Sequence, residues 1–431
     1  MKNLSSWGNI HHTNGEITFL RSSEESIFHH KPTTFFGFGR SYGDLPINNS
    51  GGVVCTQDYN EIISADWKSG VLKAKSGISL RQILEQSIPH GWFLNVSPGS
   101  SYVSLGGAVA NDVHGKNHHK AGSFGNFVKS IGLKRSDGSY LELSKDKNQE
   151  LFNLTISGLG LTGFIDWVEI QLKKISSTNL LTENIRYESL DDFFELSKES
   201  NEWEYVAAWV DCLAPEKNIG RGILSRSKHC DDGKLIFEHD MHFLSLPFNF
   251  PNWALNRSSI KAFNFMYQSI HSKETKSVID NYKKSLYPLD SIKNWNRMYG
   301  KRGFYQHQCI VPKRFAFDAI QELLSLISRS GQGSFLAVLK NHGPELSPGR
   351  NSFCIEGTSL ALDFPNNGKD TVNLLSKLDS ICNKYGGRIY PAKDANMSSE
   401  IYKNCFKNWK ELDDAKDPNI SSAFWERVTH E

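Results

Sequence analysis

SPGSSYVSLGGAVANDVHGKNHHKAGSFGN, residues 97–126, crowds glycine, serine and other small residues into a single loop-like run. Glycine allows positive φ and close approach of the backbone to a ligand, and successive N–H groups in such a loop form a nest for an anion. Pro98, Gly99, Ser100, Ser104, Gly106, Gly107 and Asn111 therefore offer bare backbone and hydroxyls against which a diphosphate can lie. Upstream, FGFGRSYGD at 36–44 repeats the theme with Gly37, Gly39, Arg40, Ser41, Tyr42 and Gly43, and SGLGLTG at 157–163 ends in Gly163. The first two clusters have neither the G-x-G-x-x-G spacing of a Rossmann turn nor that of a P-loop. One cluster alone reads as tight turns in a β-rich domain. Three within 170 residues argue for more than turns.

The same stretch holds His114-Gly115-Lys116-Asn117-His118-His119. Three histidines in six residues raise a metal site, but adjacent His118 and His119 cannot both face one point from a regular strand. No carboxylate or thiolate follows at ligand spacing, so no metal is expected, and the segment reads as a polar loop reaching a cofactor.

Working outward, 431 residues exceed one ordinary core, and two domains are expected. Hydrophobic residues at 39% and charged residues at 22% suit a globular enzyme. Lys plus Arg (49) nearly balances Asp plus Glu (47), which gives no support to nucleic-acid binding. The seven cysteines are scattered and none has C-x-x-C spacing, which fits a reducing, cytoplasmic compartment. The opening MKNLSSWGNIHHTNGE has no apolar core of a secretory signal. No run approaches the ~20 apolar residues of a spanning helix, so any membrane contact is expected to be peripheral, at the inner face.

Strands are expected at 53–55, 70–74, 164–172, 304–311 and 388–390, with a half-buried alternation from Phe164 onward. Helices are expected at 79–86, with Ser79 as N-cap, and at 315–328, where Phe317, Ile320, Leu323, Leu324 and Ile327 share a face. Glycine thins and aromatic residues thicken from about Lys174. Strands mixed with helices in this way give an α+β fold.

FGFGRSYGD, the 97–126 stretch and SGLGLTG together resemble the FAD-binding domain of the vanillyl-alcohol-oxidase/PCMH flavoprotein superfamily. AAWVD, YPLD, NWNRMYGKRGFYQHQCIVP, GTSLALDFP and GGRIYPAKD extend the resemblance through nearly the whole chain, to the decaprenylphosphoryl-ribose 2′-oxidase branch. The resemblance implies an FAD domain of 1–175 plus 388–431 and an inserted substrate domain of 176–387. It implies oxidation of a secondary alcohol, the 2′-hydroxyl of a polyprenyl-phosphate pentose, by hydride transfer to flavin N5, with a short-chain reductase partner completing an epimerisation. A soluble sugar or alditol oxidase using O₂ and an inactive flavin-binding scaffold are the alternatives. The position of the linking histidine in many relatives is Tyr42, and no cysteine lies between Cys55 and Cys212, so FAD is expected to be noncovalent. The pocket cysteine that nitro-aromatic inhibitors trap in relatives is Ala361 here.

By the same resemblance Lys393 sits beside flavin and sugar, where a cation steadies negative charge. His114 lines flavin and substrate and is a candidate proton acceptor. Lys116, Tyr299 and Lys340 match substrate-pocket positions. Gln306 and Gln308 share one strand face, suited to sugar hydroxyls. Trp209 is a candidate wall. Gly115, Asn117, Gly122 and Ser123 join the glycine clusters as candidate cofactor contacts.

Overall fold

Ser79 starts a helix as its type and spacing require. Its hydroxyl accepts from the Gln82 N–H while the Gln82 side chain accepts from the Ser79 N–H, a capping box that opens the helix Leu80–Ser87. That helix and the short helix Leu105–Ala110 bury Leu80, Ile83, Leu84, Leu105, Ala108 and Val109 against Leu72, Ala74, Ile131, Val168 and Ile170 of a sheet. The computed structural model describes residues 4–23, 25, 27–28, 31–49, 51–239, 244–271 and 275–430. Among them the main sheets have three, five and eight strands, mixed with helices in an α+β fold.

The five-stranded antiparallel sheet runs in the order Ile62–Asp66, Val71–Lys75, Phe164–Gln171, Val128–Lys134, Tyr140–Ser144. Phe164–Gln171 is its middle strand, and its residues Phe164 to Val168 are all buried, so both faces are covered where alternation predicted one. A parallel three-stranded sheet orders Glu16–Phe19, Gly52–Cys55 and Thr33–Phe36. The C-terminal segment returns to it: the Thr33 N–H donates to the Asn419 carbonyl (2.7 Å), and the Ser421 N–H to that of Thr33.

The eight-stranded antiparallel sheet ends Tyr205–Val210, Ala337–His342, Gly357–Pro365, Phe304–Pro312, Arg388–Ile389. Its register makes a wall. Gln306 lies opposite Asp363, Gln308 opposite Ala361, Val338 opposite Ala361 and Lys340 opposite Ser359. Because strand side chains alternate faces, these polar and small residues share one face. The other face turns Leu339, Cys309, Leu360 and Leu362 onto the helices Ala316–Ser330 and Lys369–Lys384, whose Ile320, Leu323, Leu324, Leu374 and Leu378 complete a dry layer.

Candidate active site

A cavity of about 410 Å³ is lined by residues of all three main sheets. One part is glycine loop. Gly39 holds φ +61°, and a Cβ on it would lie 2.6 Å from the Phe36 ring. A Cβ on Gly37 would meet the Ser104 hydroxyl at 2.3 Å, so glycine is what lets the 36–44 and 97–107 loops touch. At Gly99 and Gly160 nothing stands within 4 Å of where a Cβ would be, and the backbone there is bare toward the cavity. Gly37, Gly39, Arg40, Ser41, Tyr42, Pro98, Gly99, Ser100, Ser104, Gly106, Gly107, Asn111, Gly115 and Gly163 all line it.

The opposite part is charged. Arg40, Lys116, Lys340 and Lys393 line the cavity, and Asp363 is the one carboxylate among the lining residues. Burial pushes Lys116 down to about 8 and both Lys340 and Lys393 down to about 7, while it pushes Asp363 up to about 7. Lys393 stands 3.8 Å above the Tyr42 ring, a cation–π contact. Its neighbour Asp394 is engaged elsewhere: it accepts from Arg427 at 2.8 Å, and Arg427 also grips Asp44 with two bonds. Asp394 is therefore not an ion-pair partner for Lys393.

His114 lies between two partners. Its Nδ1 is 2.6 Å from the Lys340 ammonium, which also donates to the Gly115 carbonyl at 2.7 Å, and its Nε2 is 2.8 Å from the Gln308 amide. The Gln308 atom facing Nε2 is its amide nitrogen, a donor, so Nε2 accepts. Burial, then the charge of Lys340, holds the imidazole well below 6.5. Both nitrogens thus have partners within the protein, and the ring is neutral. The two glutamines do not form one free amide face either: Gln308 holds His114, and the Gln306 amide donates to Asp363.

Six expected contacts stand off the cavity lining. Gly43 packs on the Asp394 carbonyl, 1.7 Å from where its Cβ would be. Asn117 donates to the Asn95 carbonyl. Gly122 ends the short helix His118–Ala121, and Ser123 forms a capping box with Asn126. Tyr299 stacks on Phe304 (4.1 Å) in a buried aromatic cluster of which Tyr42 and Trp295, but not Tyr299, reach the cavity. The Trp209 indole N–H donates to the Phe335 carbonyl while its ring meets Tyr267. The glycine-rich string thus mixes cavity lining with helix caps, which composition alone cannot separate.

Sequence reasoning missed Asp363, quoted only within GTSLALDFP. Alternation puts it on the same strand face as Ala361, and only the register sets that face opposite Gln306 and Gln308. Ile420, Ser421 and Ser422 also line the cavity, without any motif. Away from the lining, His118, His342 and Cys354 come within 4.8 Å of one another. Burial, then the Lys340 charge, lowers both imidazoles, and burial raises the Cys354 thiol.

Residues 26–144 match the FAD binding domain family. The chain is 33% identical over 380 residues to decaprenylphosphoryl-beta-D-ribose oxidase of Mycolicibacterium smegmatis, covering 85% of this chain and 81% of that protein. It is 28% identical over 340 residues to an uncharacterized protein of Streptomyces coelicolor (75% and 91%), and 26% identical over 149 residues to L-gulonolactone oxidase 3 of Arabidopsis thaliana (33% and 26%). The residues present fit FAD. Bare glycine backbone faces the cavity, Arg40 Nε and Asn111 Oδ1 are buried without a partner, and four cations face one carboxylate, a balance that an anionic diphosphate completes. On this extent of identity the chain belongs to the decaprenylphosphoryl-β-D-ribose oxidase family and is a PCMH-type FAD-dependent oxidoreductase.

Proposed function

We propose that the protein oxidises the 2′-hydroxyl of a ribose-type sugar carried on a polyprenyl phosphate, giving the ketone. The observation that carries this reading is the wall of Gln306, Gln308, Lys340, Ala361, Asp363 and Lys393, which combines hydrogen-bonding groups with excess cation beside the glycine loops. When bound, FAD supplies a two-electron acceptor that takes the hydride at N5. The chain supplies the rest. Lys393 provides positive charge where negative charge develops. Asp363, whose carboxyl burial pushes up to about 7, can take the alcohol proton at working pH, with Lys393 beside it keeping its charge. His114 positions Lys340 and Gln308 instead of accepting the proton. Lys116, whose ammonium is anchored on the Ser285 carbonyl, presents charge to a substrate phosphate.

FAD is held noncovalently in this reading. No cysteine is among the lining residues, and His114, the one lining histidine, has both nitrogens engaged. We assign cofactor binding to 1–175 plus 388–431 and substrate binding to 176–387. The enzyme works at the inner face of the membrane with a short-chain reductase as partner. No helix of the described residues is long and apolar enough to cross a membrane. The test is product analysis by mass spectrometry after incubation with polyprenyl-phosphoryl ribose. A lipid-linked product lacking two hydrogens supports the proposal, and turnover of free sugars alone, with O₂ consumed, overturns it.

A further inference from the structure

An exposed helix of a globular protein ordinarily turns its apolar stripe inward. The helix Arg257–Ile270 packs Ile260, Phe263 and Tyr267 inward but carries a second apolar set on its outer side. Ile260, Asn264 and Gln268 form its buried face, and the Asn264 amide donates to the buried Asp211 carboxylate at 2.7 Å. Phe265 (70% exposed), Met266 and Ile270 (68%) point away from the protein, and Trp253, on the approach to the helix, is 77% exposed. Lys261 shares the outer face and Arg257 opens the helix, both exposed. The edge strand that follows, Lys276–Asn281, also exposes Val278 and Ile279.

Charge says what covers this face. Residues 244–302 carry ten Lys or Arg against three Asp or Glu, in a chain whose whole net charge is +2. An exposed tryptophan and phenylalanine beside lysine and arginine is the pattern of a segment lying in a lipid headgroup layer, with cations paired to anionic lipids. The segment also reaches the cavity. Leu286, Leu289 and Trp295 belong to its lining, and Phe263 on the helix flank meets Phe335, whose neighbour Leu336 lines it as well.

We propose that the outer face of Arg257–Ile270, with Trp253, docks the enzyme on an anionic bilayer surface, so that the apolar side of the cavity opens toward the lipid. The proposal deepens, and rests on, the lipid-linked reading of the substrate. Flavin-loaded full-length protein is sedimented with phosphatidylcholine vesicles, alone or mixed with phosphatidylglycerol, at low and high salt. The double variant Phe265→Ser, Ile270→Ser, the variant Trp253→Ser and the control Leu346→Ser (78% exposed elsewhere) are compared. Wild type and control should bind the anionic vesicles in a salt-sensitive way, and the face variants should lose about tenfold or more in partition with unchanged flavin content. Equal binding by the double variant, no binding of wild type, or a wild-type dimer that the double variant dissolves would each overturn docking. Activity on lipid-linked ribose presented in detergent is read separately. Its absence with vesicle binding intact strikes the substrate reading and leaves the docking face standing.

Discussion

Lys393→Met removes one of four cations lining the cavity, at a position 3.8 Å above the Tyr42 ring. The magnitude follows from Coulomb's law: a unit charge about 4 Å from a developing anion, at an effective dielectric constant of about 20, contributes about 4 kcal/mol. Removing one positioned donor at an oxyanion commonly costs about 10²–10³ in rate, the same scale. A surface lysine would change stability by only about 0.5 kcal/mol and leave the rate alone. The assay is anaerobic stopped-flow reduction of the flavin by substrate, after flavin content has been matched between wild type and variant. The expected result is a flavin-loaded variant reduced about 10²–10³-fold more slowly. A flavin-loaded variant reduced at near wild-type rate would refute the reasoning, because the charge would then stand outside the reaction.

Acid precipitation should release all yellow colour into the supernatant, and colour retained in the pellet would contradict noncovalent binding. Arg427→Met should destabilise the fold by about 3–5 kcal/mol in a denaturant titration, because it strands the buried carboxylates of Asp44 and Asp394, and an unchanged midpoint would contradict this. The FAD-free protein holds Lys116 at about 8 and Lys340 and Lys393 at about 7, whereas unfolded lysine keeps its proton to about 10.4, so the unfolded state binds more protons and stability rises with pH between about 7 and 10. An anionic cofactor raises these amines again, so FAD binding at about pH 8 should take up protons. Calorimetric titration in two buffers of different ionisation enthalpy reads that uptake, and identical heats would contradict it.

Much of this was legible because it is local. The Ser79 cap, the helix over 315–328 and the strand pairing Gln306 with Gln308 on one face all follow from spacing within a few residues, as do the glycine clusters that line the cavity. The illegible parts are matters of register and long-range packing. Nothing near Asp363 announces that it will lie opposite Gln306. Nothing near His114 tells that Lys340 and Gln308, more than 190 residues away, will take up both its nitrogens. Asn117, Gly122 and Ser123 look like cofactor contacts because caps and nests draw on the same small and polar residues. The helix Arg257–Ile270 shows the opposite difficulty: all its apolar residues look like core, and only the structure reveals that one set of them faces outward.

The most direct test of the central claim is to add polyprenyl-phosphoryl ribose to the purified yellow protein without oxygen and follow the flavin absorbance. One equivalent of the lipid-linked sugar should bleach the flavin, with its ketone recovered. A flavin that stays yellow with this substrate, yet bleaches with a chemical reductant, would contradict it.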